Sequence, residues 1–188
     1  MIAPTGRGVL YDDIDVRRLI RTVPDFPKPG VQFRDITTLL KDARGFRVVI
    51  DRMAGAYRGI RVDKVAAIES RGFLIGAALA YALDAGLVPI RKQGKLPAEN
   101  FGQDYDLEYG ADRLEVHRDA IERGERLLLV DDLIATGGTA EAALSLIDLA
   151  EASAVGCAFV IDLPDLGGRA RLERRGHRVL ALCEFAGH

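Results

Sequence analysis

The sequence predicts an α/β protein with a central parallel β-sheet flanked by helices. Three features carry that expectation. Short apolar runs recur along the chain, helical patterns separate them, and polar residues stand where several of the runs stop. Continuous apolar strands alternating with helices mark a parallel sheet covered on both faces. In such sheets ligands bind outside the carboxyl ends of the strands.

Taken in order, Met1 to Gly8 is expected to fray, and Tyr11 to Val23 is expected to form a helix with Ile14, Val16, Leu19 and Ile20 on its apolar face. The stretch Val23 to Gly30 holds three prolines and is expected to be irregular. Phe46 to Tyr57 has a helical pattern. Val65 to Ile68 is a first buried strand, ending at Glu69-Ser70-Arg71-Gly72, and Phe73 to Leu83 is a helix. Leu87 to Ile90 is a second strand that ends in Arg91-Lys92. Arg126 to Val130 is a third, and Thr139 to Ala150 a helix. Val155 to Ile161 is a fourth strand and Val179 to Cys183 a fifth.

The 188 residues suit a single domain spanning 1–188 with a real core. A net charge of −2 offers no bulk attraction to nucleic acid or membrane, so cationic chemistry must come from local clusters. No apolar stretch reaches the roughly 18 residues of a membrane span, and the start lacks a signal-peptide layout. Cys157 and Cys183 sit in apolar runs without CxxC spacing, as expected of reduced thiols in the cytoplasm. His117, His177 and His188 show no metal-ligand spacing.

The most informative segment is Val130 to Ala140. A buried strand runs into Asp131-Asp132, then Leu133-Ile134, then Ala135-Thr136-Gly137-Gly138-Thr139, then a helix. Small residues let backbone N–H groups converge, and the helix dipole adds positive potential. Together they suit a phosphate monoester, with Thr136 and Thr139 adding hydroxyl donors. The two aspartates repel phosphate but suit the vicinal hydroxyls of a ribose, or a metal held near it. A diol acceptor beside a phosphate cradle describes a ribose 5-phosphate. Neither GxxxxGK[ST] nor a strand-linked GxGxxG is present.

Leu129-Val-Asp-Asp-Leu-Ile-Ala-Thr-Gly-Gly-Thr139 resembles the phosphoribosyl-diphosphate signature of type I phosphoribosyltransferases. Four further segments resemble the adenine-specific branch of that family: Pro24 to Thr37, Glu69 to Phe73, Arg91 to Pro97 and Tyr105 to Gly110. They occur in the family's order, and the likeness covers roughly residues 18 to 188. The resemblance implies the type I fold with a small N-terminal hood within about residues 1–40, and transfer of phosphoribose from 5-phosphoribosyl-1-diphosphate to adenine, giving AMP and diphosphate. It also implies Mg²⁺, a homodimer and small-molecule substrates.

The resemblance further implies roles residue by residue. Arg71 and Lys95 contact the diphosphate, with Arg91 in the same basic cluster, and a cis peptide joins Glu69 to Ser70. Arg71 suits phosphate oxygens through its planar fork, the alternative being an ion pair. Glu108 becomes the proton-transfer group at adenine and Tyr109 packs beside the ribose, in a segment bounded by Gly102 and Gly110 that suits a lid. An acidic surface loop is the alternative there. Gln32, Phe33, Arg34 and Leu163 are the adenine-site candidates, with faces covered by Phe33 or Leu163 and the edge read by backbone around Gln32 to Arg34. Core packing is the alternative for Phe33 and Leu163. Many family members have an aliphatic residue where Gln32 stands. A 6-oxopurine needs a donor opposite O6, often a lysine, and the base-site segments hold no clear candidate.

Overall fold

The computed structural model describes residues 14–107 and 110–187. Glu108 and Tyr109 lie outside the described residues, as do 1–13 and His188.

The strands are β1 (Arg21–Pro24), β2 (Gln32–Asp35), β3 (Lys64–Ile68), β4 (Gly86–Lys92), β5 (Asn100–Leu107), β6 (Gly110–His117), β7 (Arg126–Ile134), β8 (Ser153–Asp162) and β9 (Val179–Glu184). The helices are α1 (Thr37–Leu40), α2 (Ala43–Ala56), α3 (Arg71–Leu83), α4 (Gly138–Leu149) and α5 (Gly168–Arg174). Strands β5-β6-β4-β3-β7-β8-β9 form one seven-stranded sheet. Its body, β4-β3-β7-β8-β9, is parallel as expected from the apolar runs. The β5–β6 hairpin adds antiparallel pairing at the β4 edge, so the whole sheet is mixed.

Successive residues of β7 feed opposite cores, which is why its run is continuously apolar. Leu128 and Val130 pack with Val48, Val49 and Met53 of α2 and Ile75 and Leu79 of α3. Leu127 and Leu129 pack with Leu144 and Ile147 of α4 and Leu114 and Val116 of β6. Helix α2 starts where the Asp42 carboxylate accepts the N–H groups of Arg44 and Gly45, at 3.0 and 2.8 Å. Helix α3 ends at Asp84, in the left-handed region with φ 54°.

Three local expectations are corrected. The helix expected before Val23 is a 3-10 turn over Val16–Leu19 followed by strand β1. Pairing of Arg21–Pro24 with Gln32–Asp35 outweighs the weak helical spacing. Val23 and Pro24, expected to be irregular, therefore belong to a strand. Proline is tolerated there because it ends a strand of a two-stranded ribbon. Gly102 lies inside strand β5, paired with Glu115, rather than bounding a loop, and Gly110 is the first residue of β6.

The β1–β2 ribbon is the small N-terminal hood, tied by Arg21 to Asp35 through Nε at 3.1 Å and through its Nη2. Arg21 and, less strongly, the Thr37 N–H hold the Asp35 carboxyl down at about 2, against the upward push of burial. A depressed carboxylate stabilises the fold above its ordinary value of 3.8, and that stabilisation disappears as pH falls toward about 2. Arg21 is half-exposed, so the contribution is screened to about 1–2 kcal/mol. Asp35→Asn should lose that amount at neutral pH and flatten the acid limb of the stability curve between pH 4 and 2, as read by urea denaturation. An unchanged acid limb would contradict the assignment.

Candidate functional site

Polar side chains converge in a cleft of about 340 Å³ at the carboxyl ends of β3 and β7. Glu69, Ser70 and Arg71 enter from β3, Asp131 to Thr139 from β7 and its loop, and Lys92, Tyr105 and Asp112 from the edge hairpin side. The sheet thus gathers segments far apart in sequence at one rim, as strand–helix alternation dictates.

Strand β7 continues past Val130 to Ile134, so both aspartates are strand residues. Asp132 is 3% exposed and accepts from Arg71 Nε at 2.5 Å. Asp131 lines the cleft, and its Oδ1 accepts the Asp132 N–H at 2.8 Å. Enclosure, and next the Asp132 charge, push the Asp131 carboxyl well above the usual range. Gly72 makes the approach of α3 possible, since a Cβ there would stand 2.8 Å from Asp131 Oδ1 and 3.0 Å from the Val130 carbonyl.

Beyond Ile134 the chain turns through Ala135-Thr136-Gly137 into α4. Gly137 precedes the helix with φ 85°, a conformation only glycine takes without strain. Among the described residues, no side chain caps the start of α4. Its first N–H groups therefore remain available at the positive end of a helix dipole. That is the physical requirement for an anion cradle.

Arg71 places its guanidinium 5.2 Å from the Phe33 ring, which joins the hood to the cleft. Phe33 also meets Phe26 edge-on, with centroids 5.1 Å apart. Arg34 is turned elsewhere: it donates to Thr22 Oγ1 and the Ala186 carbonyl and stacks on Phe185. Gln32 is half-buried in β2. Leu163 is buried in the core, with its N–H on the Ile134 carbonyl at 3.0 Å. Arg91 is braced by Glu69 at 3.1 Å and by the Lys95 carbonyl at 3.2 Å. Lys95 sits in an exposed turn and is not among the residues lining the cleft. The peptide between Glu69 and Ser70 is cis.

Lys92, Tyr105 and Asp112 form a group that sequence reasoning did not single out. Asp112 takes Lys92 Nζ at 3.1 Å and the Tyr105 hydroxyl at 3.1 Å. Burial pushes its carboxyl up, but the Arg113 N–H at 2.8 Å, then Lys92 and last Tyr105, hold it below the usual range. The alternation of Leu114 and Val116 with Arg113, Glu115 and His117 is the strand signal that points to this hairpin. Among the described residues, no three His, Cys, Asp or Glu side chains converge as a metal cage. With Asp132 held by Arg71, the donor set suits an ion whose other ligands are water and substrate oxygens.

The architecture and the cleft define a class, the phosphoribosyl transferase domain, whose family model matches residues 35–179. The adenine phosphoribosyltransferase of Nitrosospira multiformis is 60% identical over 175 residues, covering 93% of this chain and all of that protein. The solved adenine phosphoribosyltransferase of Rhodothermus marinus is 48% identical with a TM-score of 0.86, covering 90% of this chain and 96% of that one. The Saccharomyces cerevisiae enzyme, solved with an imino-altritol bisphosphate and adenine, is 38% identical with a TM-score of 0.83, covering 89% and 96%. The chain belongs to the adenine phosphoribosyltransferase family.

The two aspartates should respond oppositely to neutralisation. Asp132→Asn removes the buried negative charge paired with Arg71 and should lower stability by about 1–3 kcal/mol. Asp131→Asn removes a carboxyl whose ionisation is disfavoured in the fold, so it should be neutral or stabilising at pH 7. A raised carboxyl pKa costs stability only as pH rises through the ordinary range, so the gain should vanish in acid. Equal losses from both substitutions in denaturant titrations would refute this division.

Proposed function

We propose that this chain is an adenine phosphoribosyltransferase that forms AMP and diphosphate from adenine and 5-phosphoribosyl-1-diphosphate. The observation that carries the proposal is the cleft itself: an uncapped helix start follows paired carboxylates, with an arginine across from them. In this mechanism the 5-phosphate lies on Ala135, Thr136, Gly137, Gly138 and Thr139, held by main-chain N–H groups and hydroxyls. The ribose hydroxyls face Asp131 and Asp132, and the diphosphate lies toward Arg71, Arg91 and Lys95. Phe33 offers a face to adenine, with backbone of Gln32 to Arg34 at its edge and Leu163 behind.

Arg71 gains a partner between states in this mechanism. Without substrate it is bonded to Asp132; with substrate its remaining donors face the diphosphate. Mg²⁺ near Asp131 and Asp132, bound mainly through substrate oxygens, would offset the charge of the departing diphosphate. Glu108 exchanges the proton of the adenine ring as N9 attacks the ribosyl carbon, and Tyr109 covers the ribose. The chain's contribution is positioning and electrostatic stabilisation of the separating charges.

A homodimer in the cytoplasm completes the proposal. Leu74 and Tyr81, one face of α3 apart by two turns, are 53% and 90% exposed, an apolar surface that a second copy would cover. Unpaired Cys157 and Cys183, with thiols pushed up to about 12 by burial, suit a reducing compartment.

Incubation with the activated sugar, Mg²⁺ and each of adenine, guanine, hypoxanthine and xanthine should yield a nucleotide with adenine alone. Preference for a 6-oxopurine would overturn the base assignment. Glu108→Gln should lower kcat by about 10²-fold or more while leaving binding of the activated sugar intact. An effect on affinity alone would remove its proton-transfer role.

A further inference from the structure

The turn that follows β8 is in backbone contact with the loop that precedes α4. Gly168 is buried, and its N–H donates to the Ala135 carbonyl at 2.9 Å. A Cβ on Gly168 would fall inside the contact distance of that carbonyl, 2.7 Å from Gly137 N and 2.9 Å from Ile134 Cγ1. Seen from the other side, a Cβ on Gly137 would stand 3.1 Å from Gly168 Cα and 3.2 Å from its carbonyl oxygen. Two glycines face each other, and neither tolerates a side chain without moving the other's backbone.

The hydrogen bond fixes more than a distance. In a trans peptide the C=O and the following N–H point in opposite directions. With the Ala135 carbonyl turned onto Gly168, the Thr136 N–H is turned away from Gly168. Ala135, Thr136 and Gly137 all line the cleft. The Gly168 contact therefore selects which face of the Ala135–Thr136 peptide the cleft meets.

A second contact holds the turn in place. Glu141, in the first turn of α4, pairs with Arg171, inside α5, and with Nη1 of Arg175, the residue that ends α5, at 3.1 Å. Its side chain is 15% exposed, so the pair of bonds is partly shielded from water. The same helix that opens onto the cleft is thus clasped to the helix that begins with Gly168.

We propose that Gly168, clasped through Glu141, is a positioning residue that orients the Ala135–Thr136 peptide so that its N–H serves the 5-phosphate. This takes the phosphate-binding role given to the loop above as its premise. Gly168 is not among the residues lining the cleft; it acts through the loop.

The test is binding of ribose 5-phosphate by calorimetry, together with steady-state kinetics and thermal melting. The unaltered chain must bind ribose 5-phosphate; if it does not, the loop's phosphate role fails and this proposal with it. Given that binding, Gly168→Ala should weaken it and lower kcat/KM for the activated sugar by about a hundredfold, as a misplacement of about 1 Å does. KM for adenine should not change. Glu141→Gln loosens the clasp without adding atoms and should shift the same two quantities in the same direction by a smaller factor. If Gly168→Ala does not fold, Glu141→Gln decides the matter. Variants that melt earlier yet bind ribose 5-phosphate normally, or that lose adenine and sugar affinity alike, would show the contact to be only structural.

Discussion

Opposite electrostatic demands meet within one turn of chain. The uncapped start of α4 presents positive potential, while Asp131 and Asp132 place negative charge just before it. The two can coexist only because Arg71 neutralises the deeper carboxylate and enclosure disfavours ionisation of the other. In the proposed complex a sugar phosphate would meet both demands along its own length, with its anionic end toward the helix and its hydroxyls toward the carboxylates.

The rest of the fold follows from holding that turn still. Strand β7 is the central one of the five parallel strands, its residues buried alternately on both faces, so its end is held from both sides. Helix α3 comes close enough to bring Arg71 to Asp132 because Gly72 has no side chain. The hood reaches the same place through Phe33 against Arg71, so the hood and the cleft share one guanidinium. A displacement of Arg71 would be felt at both.

Much of this was legible in the sequence, and the reasons are physical. Buried parallel strands are apolar along their whole length, so Val65–Ile68, Leu127–Val130 and Val155–Ile161 announce themselves without a partner. The turn from β7 into α4 is legible because small residues and two glycines stand between an apolar run and a helical pattern. The hood strand Arg21–Pro24 was not, because a short ribbon is made by pairing rather than by its own pattern, and prolines mask it. The hairpin was missed because its glycines suggest a loop, while its register with β4 is decided across the sheet. The Lys92–Asp112–Tyr105 group depends on that register and was hidden with it. For Leu163 and Arg34 the fold adds what sequence could not: the Leu163 side chain packs in the core and the Arg34 side chain braces Phe185, which leaves the backbone of Arg34 for the edge role proposed for it.

The central claim is that main-chain N–H groups of the Ala135–Thr139 turn grip a sugar phosphate. Amide chemical shifts recorded during titration with ribose 5-phosphate test it directly. The account requires the largest downfield changes at Thr136 to Thr139, with smaller changes at Asp131 and Asp132. Changes confined to the surface around Lys95, with the turn's amides unmoved at saturation, would contradict it.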